Sequence, residues 1–276
     1  MRIVEYGPDR RSDVADLMQR VWGERPTDEE LEWSYERNPV RPASVLLAEE
    51  DDRVVGSVAI SFLRMSIGGE EVEVGMPFAL ATDPAYQGRG LFTQLQEANE
   101  ERVRELGIRL LLIVPNAAST RVLVGRLGWR GLPSLRVWAR VRVLPRRTRA
   151  RRVTLFDTVT EGCAREGVLR DADWLNWRFG GAPREYRSFA RKGGYAVYGR
   201  ARRRVAFVAA SQGDALADSL GVVAEPVVIA TAPPPGSLLS GFVPTPRTFT
   251  VLGKALHPAQ ELPARPRFEL GDLDFM

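Results

Sequence analysis

Apolar and polar positions alternate in the first third of the chain as they do in half-buried strands. Such stretches cover 45–49, 54–67 and 72–82, with turn signals at Asp51-Asp52 and Gly68-Gly69 between them. Along 72–82, Val72, Val74, Met76, Phe78 and Leu80 fall on one face, and Glu71, Glu73, Gly75, Pro77, Ala79 and Ala81 on the other. Pro77 has no N–H to give a ladder and Gly75 weakens one, so a bulge or splay is predicted at 75–77. The period then changes. Residues 91–106 carry Leu91, Leu95, Ala98 and Leu106 toward one face of a helix, with Gly107 at its C′ position. Residues 109–114 are a continuous apolar run, as in a strand buried on both faces. Pro115 ends that strand, Asn116 caps a second helix and Gly128-Trp129 closes it. Strand, helix and strand in this order predict a right-handed crossover between parallel strands, and so an α/β (α+β) fold with a mixed sheet.

Beyond the basic stretch 145–152 the patterning resumes. Strands are predicted at 186–190, 195–209, 227–231 and 247–252, a short helix at 214–220, and a loop at Pro233-Pro-Pro-Gly236. A repeat links the two parts: Leu31-x-Trp33-x-Tyr35-x-x-x-Pro39 matches Leu175-x-Trp177-x-Phe179-x-x-x-Pro183. Duplication is the simplest account, and the aromatics are expected to pack a helix against the sheet in each half. The division that follows is a first domain over 1–145, a basic linker over 146–152 and a second domain over 153–276.

Between the strand at 72–82 and the helix at 91 lies Thr82-Asp-Pro-Ala-Tyr-Gln-Gly-Arg-Gly-Leu91. Gly88 and Gly90 allow a tight turn and close backbone approach, while the helix N-terminus offers unpaired amides and a positive dipole end. An anion, a pyrophosphate foremost, suits such a loop. A dinucleotide fingerprint would need a third glycine, and a phosphate loop of the Gly-Lys-Ser/Thr kind needs a lysine, whereas Lys192 and Lys254 are the two in the chain. A plain strand-turn-helix connection, with glycines serving geometry alone, is the structural alternative.

Gln87-x-x-Gly90 resembles the acyl-CoA pyrophosphate loop of the GNAT superfamily of N-acyltransferases, written Q/R-x-x-G-x-G/A, with Phe92 where Gly or Ala is usual. Pro115-Asn-Ala-Ala-Ser119, running on to Leu127-Gly-Trp129, is similar to the segment that closes the same core. The resemblance covers residues 45–129 and is only topological beyond 152. It implies a GNAT fold followed by a second, degenerate GNAT-like domain without its own cradle. It implies acetyl-CoA, or another acyl-CoA, as co-substrate, held by Leu80, Ala81, Thr82, Gln87, Gly88, Arg89, Gly90, Phe92 and Asn116. Backbone amides near Leu80 and Thr82 would hold the pantetheine arm and the carbonyl. The implied reaction is direct attack of a primary amine on the thioester, which needs a base for the ammonium proton and a donor for the departing thiolate. By strand parity Glu73 is the best-placed base, with an ion-paired surface glutamate as the alternative. Many members carry a tyrosine acid four residues before the Gly of the closing pair; here that position is Val124. Its absence leaves a non-catalytic CoA-binding or regulatory module as the second reading. At the C-terminus Asp272 or Asp274 is a candidate acceptor-binding carboxylate.

Composition bounds the rest. The 276 residues are 44% hydrophobic, enough for folded cores, and carry a formal net charge of +4. One cysteine, Cys163, excludes an intrachain disulfide, and with the single His257 it leaves no basis for a metal site. No leader and no apolar run near 20 residues is seen, so a reducing cytoplasm is expected. The basic run has no interleaved aromatics, so a solvated linker is expected and nucleic acid is not. Small-molecule or peptide amines remain open as acceptors, and no motif specifies an oligomeric state.

Overall fold

A computed structural model describes residues 1–141, 150–157, 159, 166–202, 204–231 and 241–273. Most of the basic linker, Cys163, the 233–236 loop and Asp274 lie outside the described residues. The chain opens with β1 (Arg2–Glu5), α1 (Arg11–Trp22) and α2 (Asp28–Tyr35), then runs through β2 (Ser44–Glu50), β3 (Arg53–Ile67) and β4 (Glu70–Thr82). Next come α3 (Leu91–Glu105), β5 (Leu110–Ile113), α4 (Ala117–Gly125) and β6 (Arg130–Val141). The second half holds β7 (Arg151–Val153), β8 (Val168–Leu169), α5 (Ala172–Leu175), β9 (Arg187–Arg191), β10 (Gly194–Arg202) and β11 (Val205–Gln212). It ends with α6 (Ala215–Ser219), β12 (Val227–Ala230), β13 (Val243–Ala255) and α7 (Leu270–Leu273).

All thirteen described strands join one sheet, in the order β1-β2-β3-β4-β5-β13-β6-β12-β11-β10-β9-β7, with β8 paired to β3. Strands β4 and β5 are parallel, as the crossover through α3 predicts. The second half repeats that device: β9, β10 and β11 are antiparallel, α6 follows, and β12 returns parallel to β11. The feature that sequence patterning does not reach is β13. It lies between β5 and β6 and is antiparallel to both, so β6 is separated from the strand that precedes it in the chain.

Charge and amide partners fix that arrangement. Glu100 on α3 is 2% exposed and accepts from Gln96 Nε2 at 3.1 Å and Trp129 Nε1 at 2.9 Å. Its second oxygen is paired with Lys254 of β13, so one buried carboxylate binds a helix, the Gly128-Trp129 turn and the inserted strand. Asn99, one residue earlier and fully buried, donates to the carbonyls of Ser44 and Val58 and so seats α3 on β2 and β3.

Strand β4 corrects one expectation in detail. Pairing with β3 is regular from Ile67↔Glu70 to Ala59↔Phe78, so no bulge occurs at Gly75 or Pro77. The register slips by one residue just beyond, between Ser57 and Ala59, and Ala79 takes a positive φ of 50° there. Toward β5 the splay is present: pairing comprises only Val74↔Leu110 and Gly75↔Leu111. Gly75 sits so close to its neighbours that an added Cβ would lie 2.5 Å from Leu111 Cδ2 and 2.9 Å from Ile60 Cγ2. Pro77, without an N–H to donate, stands two residues past the last pair.

Candidate active site

A cavity of about 700 Å³ opens where β4 and β5 part. Met76 to Leu80 of β4 form one wall, and Ile113, Val114 and Pro115 at the end of β5 form the facing one, with Asn116 and Ser119 of α4. A third wall comes from α1, α2 and their connection: Met18, Trp22, Glu24, Arg25, Pro26, Glu30 and Trp33. The second half supplies Pro183, Arg184 and Leu273. Both halves of the chain therefore shape the same space.

The loop entering α3 lies directly beyond β4. Asp83 is buried, accepts from the Ala85 amide at 3.1 Å, and takes Arg20 Nε at 2.8 Å and Arg53 Nη2 at 2.9 Å on its other oxygen. Burial works to raise its pKa, but the Ala85 amide and the two guanidiniums outweigh that and hold it below the usual aspartate range. Gln87 Nε2 donates back to the Thr82 carbonyl at 3.2 Å, closing the turn. Gly88 and Gly90 have φ of 77° and 79°, and an added Cβ at either position would meet nothing within 4 Å. Their glycines thus serve backbone conformation and leave the approach open. Gly90 is the N-cap of α3 and gives no side-chain cap, and the first intrahelical bond there is Gln94 N to Gly90 O at 3.1 Å. The amides of Leu91, Phe92 and Thr93 have no intrahelical acceptor, and they face the positive end of a 15-residue helix. This is a cradle fit for a phosphate group. Arg89 is exposed and lies 5.0 Å over the Tyr86 ring.

The other expected residues divide. Leu80 and Asn116 line the cavity. Asn116 Oδ1 is used as the N-cap of α4, accepting from Ser119 N at 2.9 Å. Ala81 is 1% exposed and packs in the core behind β4, so only its backbone is available. Phe92 is half-buried and packs against the same two core clusters as Leu80.

Glu73 stands apart. Arg41 holds its carboxylate, Nη2 to Oε2 at 3.0 Å and Nε to Oε1 at 2.5 Å, and Glu73 does not line the cavity. Parity along the strand put it on an acceptable face, but it lies on the paired side of the splay, away from the opening. The structure thus places Glu73 as the ion-paired glutamate of the alternative reading. Asp272 is fully buried against Arg170, Nη2 to Oδ2 at 2.5 Å, and does not line the cavity. The carboxylates that do line the cavity are Glu24 and Glu30. Glu30 is committed to the capping box of α2, accepting from Thr27 N at 2.7 Å. Val124 is 48% exposed on α4 and does not line the cavity; no Tyr, His or Cys is among the lining residues.

Comparison with family models matches residues 2–131 to an acetyltransferase (GNAT) domain. Over those residues the chain carries a domain that matches the GNAT superfamily. Solved structures agree on the fold. A GCN5-related N-acetyltransferase from Kribbella flavida superposes with a TM-score of 0.68 at 18% identity, covering 92% of this chain and 70% of that one. A GCN5-related N-acetyltransferase from Anabaena variabilis gives 0.68 at 14%, covering 93% and 73%. Eis1 from Mycobacterium abscessus gives 0.63 at 14%, covering 93% and 74%. No curated protein matches the chain in sequence. A GNAT domain is a transferase domain, and GNAT enzymes use acyl-CoA co-substrates. Among the described residues no cluster of His, Cys, Asp and Glu could hold a metal, and no helix is long and apolar enough to cross a membrane.

Proposed function

We propose that this protein is an N-acyltransferase that moves an acetyl group from acetyl-CoA to a primary amine by direct attack. The observation that carries the proposal is the coincidence of two features: a sheet opened between β4 and β5, and an uncapped helix N-terminus beginning nine residues after Thr82. In this reading the amides from Gly88 to Phe92 hold the diphosphate. The strand end at 79–82, bent by Ala79, presents backbone groups to the pantetheine arm and the carbonyl. Acetyl-CoA supplies the activated acyl group, and the chain supplies position and charge.

The amine enters from the side of α1 and α2. Glu24 is the carboxylate we assign to attract the ammonium and accept its proton, directly or through water. The Ser119 hydroxyl, on the facing wall, is the donor we assign to the leaving thiolate in place of the absent tyrosine, which requires it to turn from Asn116, to whose Oδ1 it donates at 3.0 Å. We further propose that residues 153–276 are a degenerate GNAT-like domain whose task is to wall the acceptor pocket. The parallel return of β12 beside β11 and the shared Leu-x-Trp repeat support that reading. A cytoplasmic setting belongs to the same proposal and rests on the single cysteine.

The test is thiol release from acetyl-CoA across a panel of amino sugars, aminoglycosides, polyamines and peptide amines. Amine-dependent release matched by acetylated product supports the transferase. Tight CoA binding with no release on any amine supports instead a non-catalytic CoA-binding module, the reading favoured by Val124. Neither binding nor release ends both.

A further inference from the structure

Two tryptophans that correspond in the internal repeat meet across the molecule. Trp33 of α2 and Trp177 stack with centroids 5.5 Å apart and planes 25° apart. Each donates its indole N–H to the other's carbonyl, Trp33 Nε1 to Trp177 O at 2.9 Å and Trp177 Nε1 to Trp33 O at 3.1 Å. Beside this junction is Arg178, which is fully buried. Its guanidinium lies 5.0 Å over the Trp33 ring, and its Nε donates to the carbonyl of Gly271 at 2.9 Å. Trp33 and Leu273 both line the cavity, one from α2 and one from α7. One cation therefore touches the elements that carry two separate walls.

A second observation points the same way. Arg178 sits in a π-helical turn, Asn176–Gly180, closed by Gly181 N to Asn176 O at 2.7 Å. Such turns are rare and gather at functional positions, because the extra residue re-aims side chains that a regular helix would point elsewhere. The far side of α7 is held independently, since Arg170 pairs with Asp272 and, at 3.1 Å, with Glu269.

We infer that Arg178 is a positioning residue for the acceptor: it sets the distance between the α2 wall and the α7 wall of the cavity and so determines which amines fit. This rests on the proposed transferase reading for its kinetic consequence but not for its structural one. The consequence follows from how steeply reaction depends on the placement of bound partners.

The experiment replaces Arg178 by Met and by Lys. In Arg178→Met the KM for the amine rises about ten-fold, while the KM for acetyl-CoA stays within about two-fold, because none of residues 87–92 lines the cavity that Trp33 and Leu273 wall. Hydrogen exchange gives the readout that does not need activity. In Arg178→Met, amides in 31–35 and 270–273 exchange faster together while those of β3 and β10 stay protected. Arg178→Lys keeps a cation but loses the planar fork, so 270–273 loosens more than 31–35. Should wild type transfer nothing, the transferase reading falls, and the exchange pattern alone decides whether Arg178 sets the two walls. Equal rises in both KM values, or exchange unchanged at either wall in a folded variant, overturn the inference. If Arg178→Met does not fold, the Lys variant decides: unchanged amine KM and unchanged exchange at 270–273 overturn it.

Discussion

Glu24 is exposed, lines the cavity and has no cationic partner among the described residues, since the adjacent Arg25 is drawn to Asp16 at 3.0 Å. If it serves the ammonium, Glu24→Gln keeps the shape and removes the charge. We expect kcat/KM for the amine to fall about 10²-fold with the KM for acetyl-CoA unchanged, measured by initial rates; equal loss on both substrates would exclude the role. Asp83 offers a stability prediction with a definite sign. Its pKa is lower folded than unfolded, so it favours the fold above the unfolded value, about 3.9, and that favour is lost as pH falls through the folded value. Asp83→Asn should cost roughly 1–3 kcal/mol at neutral pH, and its melting temperature should fall less than that of wild type on acidification, followed by thermal scans at several pH values. At this scale the sequence was legible where backbone decides, at Gly88 and Gly90, and misleading where a partner from afar decides. Arg41 claims Glu73 across 32 residues and Arg170 claims Asp272 across 102, and no local pattern announces either.

Among the elements, the bounds of α3 were read to within a residue, because its glycine entry and Gly107 agree, but its buried face was only half legible: Leu106 is exposed, while Gln96, Asn99 and Glu100 are buried for their polar partners. Strand β4 was read as bulged or splayed at 75–77, and of the two the splay is present, toward β5, while the bulge is not. Gly75 and Pro77 proved compatible with β3 on one side, and what they interrupt is the partnership with β5 on the other. The slip came at Ala79, whose methyl gives no hint of a positive φ. For α3 the decisive test is its entry. Gly90→Asp puts a β-carbon into a left-handed conformation, at a cost of about 1–2 kcal/mol, and an anion where the diphosphate is proposed to sit. Calorimetry should show CoA affinity lost by about two orders of magnitude or more in a protein that still melts cooperatively. Retained binding would remove the loop from the site. The tryptophan motif teaches the converse: a repeat that looks like internal packing in each half is a reciprocal contact between halves, because both copies present the same face toward each other.

For the whole molecule, β13 matters most. Apolar runs marked it as a strand, yet nothing in 247–252 says which strands it separates; that follows from Lys254 reaching Glu100 and from register on both edges. A fragment ending at residue 145 would leave β5 with an open edge and Glu100 buried without its cation. Breaking such a pair costs roughly 3–5 kcal/mol, a large share of the 5–15 kcal/mol typical of a domain. We expect residues 1–145 alone to aggregate or to lack a cooperative melting transition by circular dichroism. A soluble, cooperatively folded fragment would show that β13 is dispensable. The same insertion bears on biogenesis. At translation speeds of about 5–20 residues per second, the ribosome delivers residues 243–255 on the order of ten seconds after β5 has left the exit tunnel. Throughout that wait the nascent polypeptide displays an unclosed hydrophobic seam, so chaperone supply and elongation rate, more than the finished protein's stability, will set how much of it survives to maturity.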